Sequence, residues 1–215
     1  MDLSDHIIHR VPHLACYIVV AIMRLLLVTD SHGIGMASVI HGIDKEWVVM
    51  TVRVSSQIDE VRDRYLQRLT EVRQFGPQRI LLHVGHNDLN YHPYHNLDPD
   101  HVKELFPHVL SFVTLLRINH PMSRVYFSSV FPRSTGPRMN EVQKISYNKL
   151  ASRFGVLTQS TCKREGIDFT LNGVLWLSVR KARENPNYFL GDGLHLSAPG
   201  QEVVARDWMK KMGNI

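Results

Sequence analysis

Leu25, Leu26, Leu27 and Val28 form a short apolar run with no polar alternation. A strand of this kind is buried on both faces, as in the interior of a parallel sheet. It runs directly into Thr29-Asp30-Ser31-His32-Gly33 and then into residues able to start a helix. The same alternation continues along the chain. Strands are expected over residues 24–29, 47–54, 79–84, 124–130 and 167–171, and helices over 34–41, 57–75, 100–118, 140–164 and 199–212. Ile58, Val61, Tyr65, Leu69, Val72 and Phe75 fall near helical spacing, and Gly76-Pro77 stops that helix. Residues 85–99 read as a polar loop, 131–138 as a Pro/Gly loop, and 172–187 as irregular or a short helix. No hairpin turn joins any two strands, so the connections are right-handed crossovers. The expected fold class is α/β: a three-layer α/β/α sandwich with a five-stranded parallel sheet, flavodoxin-like in outline.

A chain of 215 residues suits one domain, here 23–215, behind an N-terminal extension of residues 1–22. Residues 14–22 (LACYIVVAI) are too short to span a bilayer, and Arg24 follows closely, so no stable membrane insertion is expected. The stretch stays open between a weak signal-like core, a structural element and disorder. Cys16 and Cys162 make no disulfide framework and fit a reducing compartment, so a cytoplasmic location is expected, with secretion as the alternative. The net charge of +5 is spread along the chain with no block of like charges. That argues against a nucleic-acid tail but leaves an acidic partner open. With thirteen histidines in the chain, no single one carries weight alone. His92 and His95 lack further ligands nearby, so neither metal nor cofactor is expected.

Open α/β sheets place their ligands outside the carboxyl ends of the strands. Three polar segments fall there: Asp30-Ser31-His32, Gly85-His86-Asn87-Asp88, and residues 191–197. Each taken singly is ordinary cap or turn chemistry. In order and together they resemble the SGNH (GDSL-type) serine esterase/hydrolase superfamily, over nearly all of residues 23–212. Ser31 in VTDSHG stands at the family's serine, Asn87 in VGHNDL at its Gly-x-Asn-Asp asparagine, and Asp192 and His195 in DGLHLS at its Asp-x-x-His. The resemblance implies a serine hydrolase cleaving carboxylic esters, with Ser31 as nucleophile, His195 as base and Asp192 orienting it. It further implies an oxyanion hole made by the Ser31 N–H, the Asn87 amide and a backbone N–H after the second strand. The substrates implied are small-molecule esters of short acyl groups, on a lipid or an acylated carbohydrate. The chemistry is coherent: a serine hydroxyl needs a base, and histidine suits that task at neutral pH.

Two residues depart from the family's pattern. Thr29 stands where a glycine precedes Asp-Ser, and the second block's glycine is replaced by Ser55 or Ser56, with the spacing to Ile58 and Val61 favouring Ser55. If that turn needs φ > 0, a serine costs of order ~1 kcal/mol in strain, or its N–H swings away. These departures support the rival reading, a catalytically weak or inactive binding or scaffold module of the same fold. The Pro-Arg…Asn stretch before residue 140 also looks like SGNH-type domains encoded by some retroelements. Residues 90–98 and 172–186 are expected to shape the substrate pocket. Substrate-binding residues and oligomeric state are not assigned by the sequence.

Overall fold

The apolar run lies in β1 (Met23–Thr29), where residues 25–28 are fully buried. Leu26 and Val28 point into one core and Leu25 and Leu27 into the other, so the strand is covered on both faces. In this computed structural model residues 22–91, 99–134, 140–170 and 186–213 are described. The other strands are β2 (Trp47–Arg53), β3 (Arg79–His83), β4 (Arg124–Ser128) and β5 (Asp168–Thr170). All four pairings are parallel, in the order β2-β1-β3-β4-β5. The order reverses between β1 and β3, the crevice where doubly wound sheets bind ligands.

One face of the sheet is covered by α1 (Met36–Ile43) and by α7 (Ala198–Lys211). Met36, Ile40, Trp47, Trp208 and Met209 fill that core. The opposite face carries α2 (Ile58–Gln67), α3 (Leu69–Phe75), α5 (Pro99–Asn119) and α6 (Glu141–Glu165). Val61, Tyr65, Phe112 and Phe154 pack there against alternate residues of β1 and β3. Asn140 and Gln143 form a capping box at the start of α6, so that helix begins where the sequence expects it. Among the described residues no helix is long and apolar enough to cross a membrane.

Two expectations need correction. The helix expected over 57–75 is two helices, because the turn tightens at Arg68, whose N–H is shared between the Arg64 and Tyr65 carbonyls. The Arg68 guanidinium reaches sideways to the Thr51 carbonyl of the edge strand at 2.8 Å. The polar stretch after β3 is not all loop: it contains α4 (His86–Tyr91). Gly85, at φ +110°, turns the chain out of β3, and its carbonyl accepts the Leu89 N–H at 3.1 Å. The helix was hidden because its buried side includes His86 and Asp88, which are polar. Residues 1–21, the His92/His95 pair and residues 171–185 lie outside the described residues.

Candidate active site

Ser31 sits in a single 3₁₀ turn, Ser31–Gly33, directly after β1, with Asp30 as its N-cap. The tight exit from the strand depends on Gly33, where an added Cβ would collide with the Thr29 side chain. A glycine after the serine therefore makes room for the threonine before it.

Asp30 is fully buried and organises the floor of the site. Its Oδ1 accepts the His32 N–H at 3.0 Å and lies 3.1 Å from His32 Nδ1. Its Oδ2 accepts the His86 N–H at 3.2 Å and lies 3.2 Å from His86 Nδ1. His86 Nε2 accepts the Phe131 N–H at 2.7 Å, so the ring proton must be on Nδ1, donated to Asp30. Burial alone would raise the Asp30 carboxyl; the His86 and His32 rings and their hydrogen bonds outweigh it and hold it well below the usual carboxylate range. Burial pushes His86 down to about 4, which keeps it a neutral donor. The His32 and His86 rings stack at 3.9 Å.

Asp30, His32 and His86 bring their ligand atoms within 4.8 Å of one another, close enough to consider a metal. The donor chemistry speaks against one. His86 Nδ1 would have to lose its proton to bind an ion, and its Nε2, then protonated, would face the Phe131 N–H. The cluster is a hydrogen-bond network around Asp30, in which His32 Nε2 is buried without a hydrogen-bond partner.

His195 is held by a second carboxylate. Asp192 Oδ2 lies 2.7 Å from His195 Nδ1, while Oδ1 accepts the backbone N–H groups of Leu194 and His195 at 2.9 and 3.0 Å. Burial would raise Asp192, but these hydrogen bonds draw it down to about 2, so it stays ionised. The His195 ring stacks on His32 at 5.3 Å between centroids, which brings it beside the Ser31 turn. The Ser31 hydroxyl is half-buried and lies 3.5 Å from His32 Nδ1; among the described residues no hydrogen bond joins it to His195.

α4 supplies the remaining polar groups. Asn87 Nδ2 donates to the Ser56 carbonyl at 2.9 Å, and Asp88 accepts the Ile58 N–H through both oxygens at 3.2 Å. The start of α4 therefore fixes the turn after β2 from two sides. Asn87 reaches Ser56, whereas Ser55 is exposed. No non-glycine residue described has positive φ, so neither serine is strained. The strain considered for Ser55 from sequence is absent.

The sequence reading picked out Ser31, Asn87, Asp192 and His195 but missed the Asp30–His32–His86 network. The available signal was a histidine following the candidate residue Ser31 in one block and preceding the candidate residue Asn87 in the other, next to strongly apolar strands.

The buried histidines predict acid sensitivity. Burial depresses His83, His86 and His120 in the fold, so well below about pH 6.5 the unfolded chain binds more protons than the folded one at these sites. Asp88, raised by burial to about 6, works the other way, because the fold keeps its proton. The three histidines outweigh Asp88, so the balance favours the unfolded chain between about pH 6 and 4. Stability should fall across that window, by roughly 1.4 kcal/mol per pH unit for each proton of imbalance, read as the urea midpoint at pH 7, 6, 5 and 4. Below about pH 4, protonation of Asp30 and Asp192 removes further stability, since both carboxyls are depressed in the fold. A midpoint that rises on acidification would contradict these assignments.

No family model matches the chain, nor does any curated protein. Solved structures do. A GDSL-like lipase from Bacteroides thetaiotaomicron is 16% identical, covering 87% of this chain and 86% of its own, with a TM-score of 0.57. An acetyl xylan esterase is 17% identical over 87% of this chain and 98% of its own, with a TM-score of 0.62. A catalytic mutant of an acetylxylan esterase from Geobacillus stearothermophilus is 13% identical over 90% and 95%, also at 0.62. At these identities the likeness concerns the fold. With its five parallel strands in the order β2-β1-β3-β4-β5 and its polar blocks at their carboxyl ends, this chain has the fold of the SGNH, or GDSL-like, hydrolases.

Proposed function

We propose that the chain is a serine hydrolase of carboxylic esters, with Ser31 as nucleophile, His195 as general base and Asp192 as the carboxylate that orients it. The observation that supports this best is the Asp192–His195 pair. Asp192 is held by two backbone N–H groups and keeps the proton of His195 on Nδ1, which leaves Nε2 as the base. Catalytic hydrogen bonds to the nucleophile often tighten only in the substrate complex, so the separation of Ser31 from His195 is compatible with the role. His195 takes the Ser31 proton as Oγ bonds to the ester carbonyl carbon. The resulting oxyanion is received by the Ser31 N–H, the second N–H of the Asn87 amide, and a backbone N–H of the Ser55-Ser56 turn. Collapse expels the alcohol, protonated by His195, and water then releases the acid by the same steps in reverse order. The structural neighbours named as acetylxylan esterases and a lipase favour short acyl esters of a carbohydrate or lipid as substrates.

The test is reaction with a fluorophosphonate probe together with hydrolysis of p-nitrophenyl acetate. Labelling at Ser31 is the expected result. A module that only binds would leave Ser31 unlabelled and hydrolyse nothing. Asn87 provides a finer check. Asn87→Ala removes both the oxyanion donor and the tie to the Ser56 carbonyl, and should lower kcat by ~10²–10³-fold with a smaller change in KM. A kcat within a factor of two of the parent would place the oxyanion elsewhere.

A further inference from the structure

Pro132-Arg133, in the loop after β4, has no task in the mechanism above. Asn148 of α6 clasps the Arg133 backbone: the Arg133 N–H donates to Asn148 Oδ1 at 2.8 Å, and Asn148 Nδ2 donates to the Arg133 carbonyl at 3.0 Å. The neighbouring Ser134 N–H donates to the Gly193 carbonyl at 3.0 Å, which ties this loop to the segment that carries Asp192 and His195. On the other side, the Phe131 N–H is held by His86. Arg133 therefore stands at the carboxyl end of the sheet, between α4, α6 and the His195 segment.

Its side chain is 7% exposed, and its guanidinium lies 4.2 Å over the Tyr147 ring. Nε and Nη2 are nonetheless buried without a hydrogen-bond partner, and no carboxylate among the described residues pairs with the charge. A buried cation without a counter-charge is strongly unfavourable, and a stacked ring offsets only part of that. For stability alone, an apolar side chain of similar volume would serve better. A guanidinium whose backbone is clasped next to the segment that carries His195 is suited instead to an anion that arrives with the substrate. Its planar fork matches a carboxylate or phosphate, the two groups Arg recognises through paired hydrogen bonds.

We propose that Arg133 is a specificity residue that receives an anionic group, a carboxylate or a phosphate, carried by the ester substrate. This rests on the ester hydrolase reading and names the substrate class for it: esters bearing a negative charge, rather than neutral acetylated sugars.

Arg133→Met carries the test. The quantity measured is the ratio of kcat/KM for the mono-p-nitrophenyl esters of dicarboxylic acids (succinate to suberate) to that for p-nitrophenyl acetate. In the parent at least one member of the series should be preferred, and in the variant the ratio should fall about ten- to a hundredfold. The melting temperature should hold or rise. A purely structural arginine would instead lower it and leave the ratio unmoved, and that result overturns the proposal. Competition assays separate the two anions: inhibition by inorganic phosphate points to a phosphate group and inhibition by acetate to a carboxylate, and either must be lost in the variant. If Arg133→Met does not fold, Arg133→Lys keeps the charge without the fork and must still lower the ratio. Should the parent hydrolyse no ester, the hydrolase reading fails. Calorimetric titration of parent and variant with phosphate and with acetate then decides the anion site by itself: absence of binding, or binding unchanged in the variant, rejects it.

Discussion

Replacement of Ser31 by alanine should abolish p-nitrophenyl acetate hydrolysis, by at least ~10⁴-fold in kcat, and His195→Ala should do the same. The double variant should be scarcely worse than either single one. A nucleophile and its base act as one unit, and once either is missing the other has nothing to assist. Both side chains are only partly buried, and Ser31 contributes no hydrogen bond on which the fold depends. Urea midpoints of the three variants should therefore stay near that of the parent. Losses that multiply in the double variant would separate the two residues into independent roles. A Ser31→Ala protein with full activity would remove the serine from the chemistry altogether.

Asp30→Ala should damage the fold rather than the chemistry alone. The carboxylate receives four N–H groups, two from backbone and two from imidazole rings, all in a dry interior. Alanine leaves these buried groups without that acceptor. Breaking a buried charged network in this way costs about 3–5 kcal/mol. For a domain of this size that is a melting-temperature drop of roughly 10 °C. Asp30→Asn keeps the shape but turns one acceptor into a donor facing another donor, so it should recover only part of the loss. If Asp30→Ala melts within a degree or two of the parent, the network contributes little and the histidine stack is held by packing.

The sheet was legible because its strands are apolar enough to leave no second interpretation. Leu25–Val28 cannot sit at a half-wet surface, and four crossovers with no hairpin allow few topologies. The helix break at Arg68 was not legible, because the apolar spacing of Val61, Tyr65, Leu69 and Val72 runs straight through it while the turn answers to the edge strand beside it. α4 was missed for a related reason: periodicity counts apolar residues, and this helix buries His86 and Asp88. At the site, Ser31, Asn87, Asp192 and His195 each stand in a short motif and could be picked out from it. Asp30 and His86 are partners across 56 positions, and Arg133 is held by a residue 15 positions on. Such relations exist only after the sheet has formed. The block-two serine is intermediate: spacing narrows it to two residues and favours Ser55, while the contact that ties Asn87 to this turn, at the Ser56 carbonyl, exists only in the fold.

The helix that covers one face of the sheet, α7, is the last element of the described chain, and it closes over a core that α1 began some 160 residues earlier. During synthesis Leu25, Leu27, Met36 and Trp47 are all in place while that face is still bare, and they stay wet until Trp208 and Met209 emerge. The His195 segment leads directly into the same helix, so the proposed base is placed as that face of the sheet is covered. Chains that have not yet presented residues 198–211 should thus be prone to self-association, and a chaperone that shields exposed apolar surface would matter most before that helix packs.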